Sequence, residues 1–205
     1  IRIFAILNKE KGKCAMDNLE ENIINKLLKE LYLYDQITYD HSINVEKYIK
    51  LYCDFYSIPS DISRNLRIGA LVHDIGKIFI NPKILNKSGK LTENEFKEIS
   101  KHTFLGYKYL KRCNIPKDIY IYALYHHYRV DNNNDRYNFD EYIDKEDLLK
   151  GMNKEKYYNG IALMNICDSF EAMNSDRGYN KPKSIYESLE ELHKYKNIQF
   201  DASIV

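Results

Sequence analysis

Leucine and isoleucine recur every fourth position in LEENIINKLLKELYLY, residues 19–34, where Leu19, Ile23, Leu27 and Leu31 form one stripe between charged residues. That spacing predicts an amphipathic helix. The same period predicts a second helix in HSINVEKYIKLYCDFY (41–56), closed by SIPSDIS, where Pro59 and Ser60 end one helix and cap the next. A third starts near Asp61 and continues through ALVHDIGKIFI, residues 70–80. FINPKILNKSGK holds Pro82 and Gly89 and reads as a loop. LTENEFKEISKHTFLGYKYLKR predicts one long helix opened by a Thr92/Glu95 capping box. IPKDIYIYALYHHY predicts another, with Pro116 in its first turn. Residues 129–156 are polar and rich in Asn and Asp, a long loop with room for one short helix. Loops of that length in compact domains are usually functional or mobile. YYNGIALMNICDSFEAM and SIYESLEELHKYK complete the helices, with the turn SDRGYNKP between them. No long strand pattern and no internal repeat is visible. The expected fold is all-α, a single helical bundle.

Composition narrows the function. A chain of 205 residues with 44% hydrophobic side chains can build one large core. Thirty-one basic against thirty acidic residues leave a formal charge of +1, which argues against a general DNA or RNA binder. A small anionic ligand held by a few placed cations stays open. Cys14, Cys53, Cys113 and Cys167 form no CxxC pair and read as reduced thiols of a cytoplasmic protein. No run approaches the roughly eighteen apolar residues of a membrane span. The opening IRIFAIL lacks signal-peptide flanks and an initiator Met, and reads as the cut edge of a longer protein.

The apolar stretch 70–80 carries His73, Asp74 and Lys77, which are costly to bury without partners. On a helix Lys77 lies four residues after His73 and three after Asp74, so all three can face one cavity. His41, His102, the pair His126–His127 and Asp168 each lie on or beside another amphipathic segment. Any one of them alone is more often a packed or solvated side chain, and His193 is read that way. Adjacent helical positions diverge by about 100°, so His126 and His127 could divide between core and surface. Together, five histidines and two aspartates exceed the needs of one tetrahedral ion, and a two-metal centre is the natural reading. Inward side chains of facing helices build such sites in bundles. His and carboxylate donors suit first-row metals such as Mn, Fe or Zn.

The ordered set H41…H73-D74-I-G-K77…H102-xxx-G106…H126-H127…D168 resembles the HD-GYP branch of the HD-domain phosphohydrolases. INPKILNKSGKLTENEF, DSFEAMNSDRGY and the closing IQFDASIV strengthen the resemblance, which covers residues 35–205. It implies an all-helical hydrolase of bacterial second-messenger signalling, a phosphodiesterase that cleaves a cyclic dinucleotide, most often cyclic di-GMP, to pGpG or GMP. His41, His73, Asp74 and Asp168 would hold one divalent ion, and Asp74 would bridge to a second held by His102, His126 and His127. Fe or Mn are the first candidates and Zn a further one. Lys77 would steady phosphate oxygens or the departing alkoxide, Arg177 would clamp a phosphate, and Tyr179 would lie by the ligand. Residues 1–34 would be a linker helix from an upstream sensory or receiver domain, with GGDEF-type proteins as signalling partners.

Three positions depart from that pattern. Ile37 stands where three-metal members carry a Glu, so two ions are expected rather than three. Tyr128 stands where an acidic residue commonly follows the His pair. The Gly-Tyr-Pro loop is missing: after Asp131 the chain reads NNNDRYNFDEY, in which Tyr137 is the candidate to replace the loop's tyrosine. The intact ligand set favours an enzyme. The altered loop keeps two alternatives open, a phosphohydrolase of another nucleotide or a binding module without turnover.

Overall fold

The computed structural model describes residues 18–148, 154–175 and 181–205. Helix α1 (Asn18–Tyr34) buries Ile24, Leu27, Leu28 and Leu31, while Ile23 is only partly covered. The stripe follows the 3.6-residue turn rather than a strict spacing of four. Asp35 caps α2 (Gln36–Phe55), its carboxylate accepting from the Thr38 N–H at 3.2 Å. This helix therefore starts five residues before His41, not at it, and His41 shares an inward face with Val45, Ile49 and Cys53.

Helix α3 (Ser60–Val72) is the centre of the bundle, packing on α2 and on α7 (Lys117–Tyr125), with every residue from Leu66 to Val72 buried. It does not continue to residue 80. The helix stops at Val72, and Ile75–Phe79 form a 3₁₀ turn. In this turn two backbones touch. A Cβ on Gly76 would lie 1.9 Å from the His102 carbonyl oxygen and 2.5 Å from the Gly106 N–H nitrogen. Only glycine lets the turn press directly on α6 (His102–Arg112). The expected loop 79–90 contains a one-turn helix α4 (Pro82–Leu85), capped by Asn81.

The Thr92/Glu95 capping box is present, but the long helix it opens is two: α5 (Glu93–Ser100) and α6 meet at Lys101. Pro116 precedes α7 as its N-cap. Helix α8 (Lys154–Asn174) packs on α2, and α9 (Ile185–Lys194), opened by a Ser184/Glu187 capping box, packs on α8. Phe200 from the closing segment joins Ile166 and Leu192 in a small second core. Among the described residues no strand forms, and the all-α reading holds.

The long loop carries three 3₁₀ turns among its described residues, Asp135–Tyr137, Asp140–Tyr142 and Lys145–Asp147. Its far end is latched by Asp147, whose side chain is wholly buried. That carboxylate accepts from Tyr107 and Tyr120 hydroxyls, each at 3.0 Å, and pairs with Lys111 at 2.7 Å and Lys117 at 2.8 Å. Burial opposes ionisation, but the two lysines and two phenols bring its pKa down to about 2. Asp147→Ala strands these donors and is expected to cost about 3 kcal/mol, the low end for a broken buried pair because both lysines are partly exposed. Because the folded pKa is depressed, the contribution is full above about pH 4 and fades as pH falls toward about 2. A melting temperature unchanged by the substitution at pH 7 would contradict the latch.

Candidate metal centre

Seven side chains converge from five helices. His41 comes from the second turn of α2, and His73 and Asp74 from the break after α3. His102 opens α6, His126 and His127 follow α7, and Asp168 lies on α8. All seven sequence-expected ligands are thus brought together.

Helix ends supply what orients the rings. The last carbonyls of a helix lack intrahelical donors and can take one from a side chain. His73 Nδ1 donates to the Ala70 carbonyl at 2.7 Å and His126 Nδ1 to that of Ala123 at 3.0 Å. The break at Lys101 provides the same for His102, whose Nδ1 donates to the Ile99 carbonyl at 2.6 Å. A carbonyl can only accept, so each ring carries a proton on Nδ1 and turns its Nε2 inward. His102 and His126 consequently face each other Nε2 to Nε2 at 3.2 Å. His73 Nε2 and Asp74 Oδ1 are buried with no hydrogen-bond partner. Such a buried assembly of nitrogen and oxygen ligand atoms is suited to holding cations.

Asp74 divides the cavity. Its Oδ1 lies 3.2 Å from His102 Nε2 and 3.7 Å from His126 Nε2, while Oδ2 lies 3.4 Å from His73 Nε2 and 3.7 Å from His41 Nε2. On the Oδ2 side His41, His73 and Asp168 hold donor atoms within 4.8 Å of one another, and His102, His126 and His127 do so on the Oδ1 side. Lys77 Nζ reaches Asp74 Oδ2 at 2.5 Å through the 3₁₀ turn, not along a continuous helix. Ile37 is half exposed on the surface of α2, and Tyr128 bonds Asn132 at 3.1 Å instead of entering the site.

The charges are set for cation binding. Burial alone would protonate Asp74, but the Lys77 ammonium and His73 hold its pKa well below the usual carboxylate range. Against the same burial, His41 does this for Asp168. Burial and the neighbouring rings push His126 well down, and burial brings His127 to about 3. His41 moves the other way: despite burial, Asp168 and Glu171 raise it. His41 Nε2 is 2.9 Å from Asp168 Oδ1.

Glu171 was not anticipated from sequence. It lies three residues after Asp168 on α8, is buried, and accepts from His41 Nδ1, with Asn44 and Ser175 on its oxygens. A carboxylate behind a ligating histidine fixes the ring and strengthens it as a donor. The D-x-x-E spacing in DSFEAM was the available signal. Tyr137 also comes to the site: its ring lies on His127, centroids 4.5 Å apart. Arg177 and Tyr179, the expected ligand contacts, lie outside the described residues.

The sequence profile of the HD domain matches residues 38–173. The chain belongs to the HD-domain family. Among relatives of this HD domain, a cyclic di-GMP phosphodiesterase of Pseudomonas aeruginosa is 29% identical over 178 residues, 86% of this chain and 40% of that protein. A cyclic di-GMP phosphodiesterase of Thermotoga maritima is 32% identical over 145 residues, 68% of this chain and 35% of that one. These relatives bear out the resemblance to the HD-GYP branch, although the Gly-Tyr-Pro motif is absent here. The HD domain spans well under half the length of both. The HD domain of the Listeria monocytogenes phosphodiesterase PgpH, in complex with cyclic-di-AMP, superposes with a TM-score of 0.59 at 27% identity, covering 82% of this chain and 81% of that one.

Three outcomes check the centre. Asp74→Ala should strip bound metal while circular dichroism retains the helical signal. Glu171→Gln should weaken metal affinity roughly 10–100-fold. Because a raised pKa keeps a proton on His41 until a cation displaces it, metal uptake should release protons and weaken as pH falls. Calorimetry in buffers of different ionisation enthalpy reads that release, and buffer-independent heats would contradict it.

Proposed function

We propose that this chain is a metal-dependent phosphodiesterase that hydrolyses a cyclic dinucleotide, cyclic di-GMP first, to pGpG and onward to GMP. The observation that carries the reading is Asp74, with one oxygen turned to each of two donor clusters. His41, His73 and Asp168 would hold one divalent ion and His102, His126 and His127 a second, with Asp74 shared. Fe or Mn lead, with Zn compatible with the same donors. When bound, a pair of ions supplies Lewis acidity for a phosphodiester and acidifies water beside it.

The chain's own groups do the rest. The three Nδ1–carbonyl bonds aim the imidazoles into the cavity, the kind of preorganisation that favours reaction. Lys77, bonded to Asp74 and partly open to solvent, would meet a non-bridging phosphate oxygen or the alkoxide that departs. Ile37 stands where the three-metal members of the family carry a Glu and offers no oxygen for a further ion, which favours two. Tyr34 on α1 donates to the Ile80 carbonyl at the end of the Lys77 turn. Residues 1–34 would in this way couple an upstream sensory or receiver domain, and through it GGDEF-type partners, to the centre.

A second substrate, cyclic di-AMP, is favoured by the superposition on the PgpH domain that binds it. The test is chromatographic product analysis of protein loaded anaerobically with Mn or Fe(II). Cyclic di-GMP and cyclic di-AMP are supplied in parallel, with Asp74→Ala alongside. Linear dinucleotide or mononucleotide, lost in the variant, is the expected result. Two ions bound with neither substrate cleaved would contradict the reading.

A further inference from the structure

Among its described residues the long loop approaches the metal centre at the turn Asp135–Tyr137, and it does so as a built element. At its start the Arg129 N–H donates to Asn134 Oδ1 at 2.7 Å, and Asn134 Nδ2 returns to the Arg129 carbonyl at 3.2 Å. The Tyr137 N–H closes the turn on the Asn134 carbonyl at 2.8 Å. Beyond it, Phe139 stacks on Phe104 of α6 at 5.4 Å, and the Asp147 latch fixes the end.

What this turn presents is aromatic and cationic. The Tyr137 ring lies on His127, tilted by 33°, with His102 edge-on to it at 6.4 Å. Phe96 of α5 meets Tyr137 edge-on at 6.3 Å, and the Arg136 guanidinium lies over the Phe96 ring at 4.5 Å. His127 is the most exposed of the three imidazoles in its cluster, so this layer stands at the mouth of the centre. The Arg136 side chain is 61% exposed, and its nearest carboxylate, Glu93, is 4.0 Å away. A guanidinium over a ring can still present its donors to a ligand.

Resting on the phosphodiesterase reading above, we propose that the Asp135–Tyr137 turn recognises the base of the bound nucleotide. Tyr137 is the wall beside the reacting phosphodiester against which a purine packs. Arg136, spread on Phe96, is the rim group that reads its edge. A cyclic dinucleotide bound by one phosphodiester at the metals must place the adjoining nucleoside against the mouth of the cavity. Aromatic faces stack on any base and give affinity with little selectivity. A guanidinium adds selectivity, because guanine offers it two acceptors, O6 and N7, where adenine pairs an acceptor with a donor. The turn therefore favours a guanine base.

The test compares Mn-loaded wild type, Tyr137→Ala, Tyr137→Phe and Arg136→Ala. The substrates are cyclic di-GMP, cyclic di-AMP and bis(p-nitrophenyl) phosphate, a phosphodiester with no nucleobase. Tyr137→Ala should raise KM for cyclic di-GMP about tenfold, the loss of one stacked base, with a much smaller change on the nitrophenyl ester. Tyr137→Phe should recover most of that loss, since the ring carries it. Arg136→Ala should lower the preference for cyclic di-GMP over cyclic di-AMP about tenfold. An equal loss on all three substrates after Tyr137→Ala would mean the ring only supports His127, and an equal gain that it covers the mouth; each overturns the proposal. Wild-type turnover of the nitrophenyl ester alone would instead overturn the cyclic-dinucleotide reading, and this inference with it.

Discussion

The structure depends on a crowding of ligand atoms. His73, His102 and His126 each commit Nδ1–H to a backbone carbonyl, so three imidazole Nε2 atoms and the two oxygens of Asp74 share one buried cavity. Such a cavity is unfavourable by itself. Everything around it maintains the crowding: helices that stop where a free carbonyl is needed, a glycine that lets two backbones touch, and Lys77 as the one ammonium bonded to Asp74 among the described residues. The same features that would weaken a core make a cation site.

This explains which parts were legible in the sequence. Helices long enough to show a 3.6-residue stripe, and capping boxes such as Thr92/Glu95, are local signals and appear where expected. The ligands were legible because order and spacing carry the resemblance to HD phosphohydrolases, and the fold brings them together. What was hidden is non-local. The stop at Val72 leads into a turn in which Gly76 meets α6, a contact the chain 70–80 does not announce. The break at Lys101 interrupts no apolar period. Glu171 is one acidic residue among thirty until α2 brings His41 to it across 130 positions.

The loop that departs from the Gly-Tyr-Pro pattern remains anchored. Asp147 binds it between α6 and α7 with four donors, and Tyr137 returns to the ligand set from an otherwise polar segment. The fold is common ground with the structure of an HD domain holding cyclic-di-AMP.

The central claim is a pair of cations shared through one carboxylate. An anomalous-scattering map from crystals loaded with Mn tests it most directly. The account predicts two peaks about 3.5–4 Å apart, one among His41, His73 and Asp168 and one among His102, His126 and His127, with Asp74 between them. A single peak, or two that leave Asp74 uncoordinated, would contradict it.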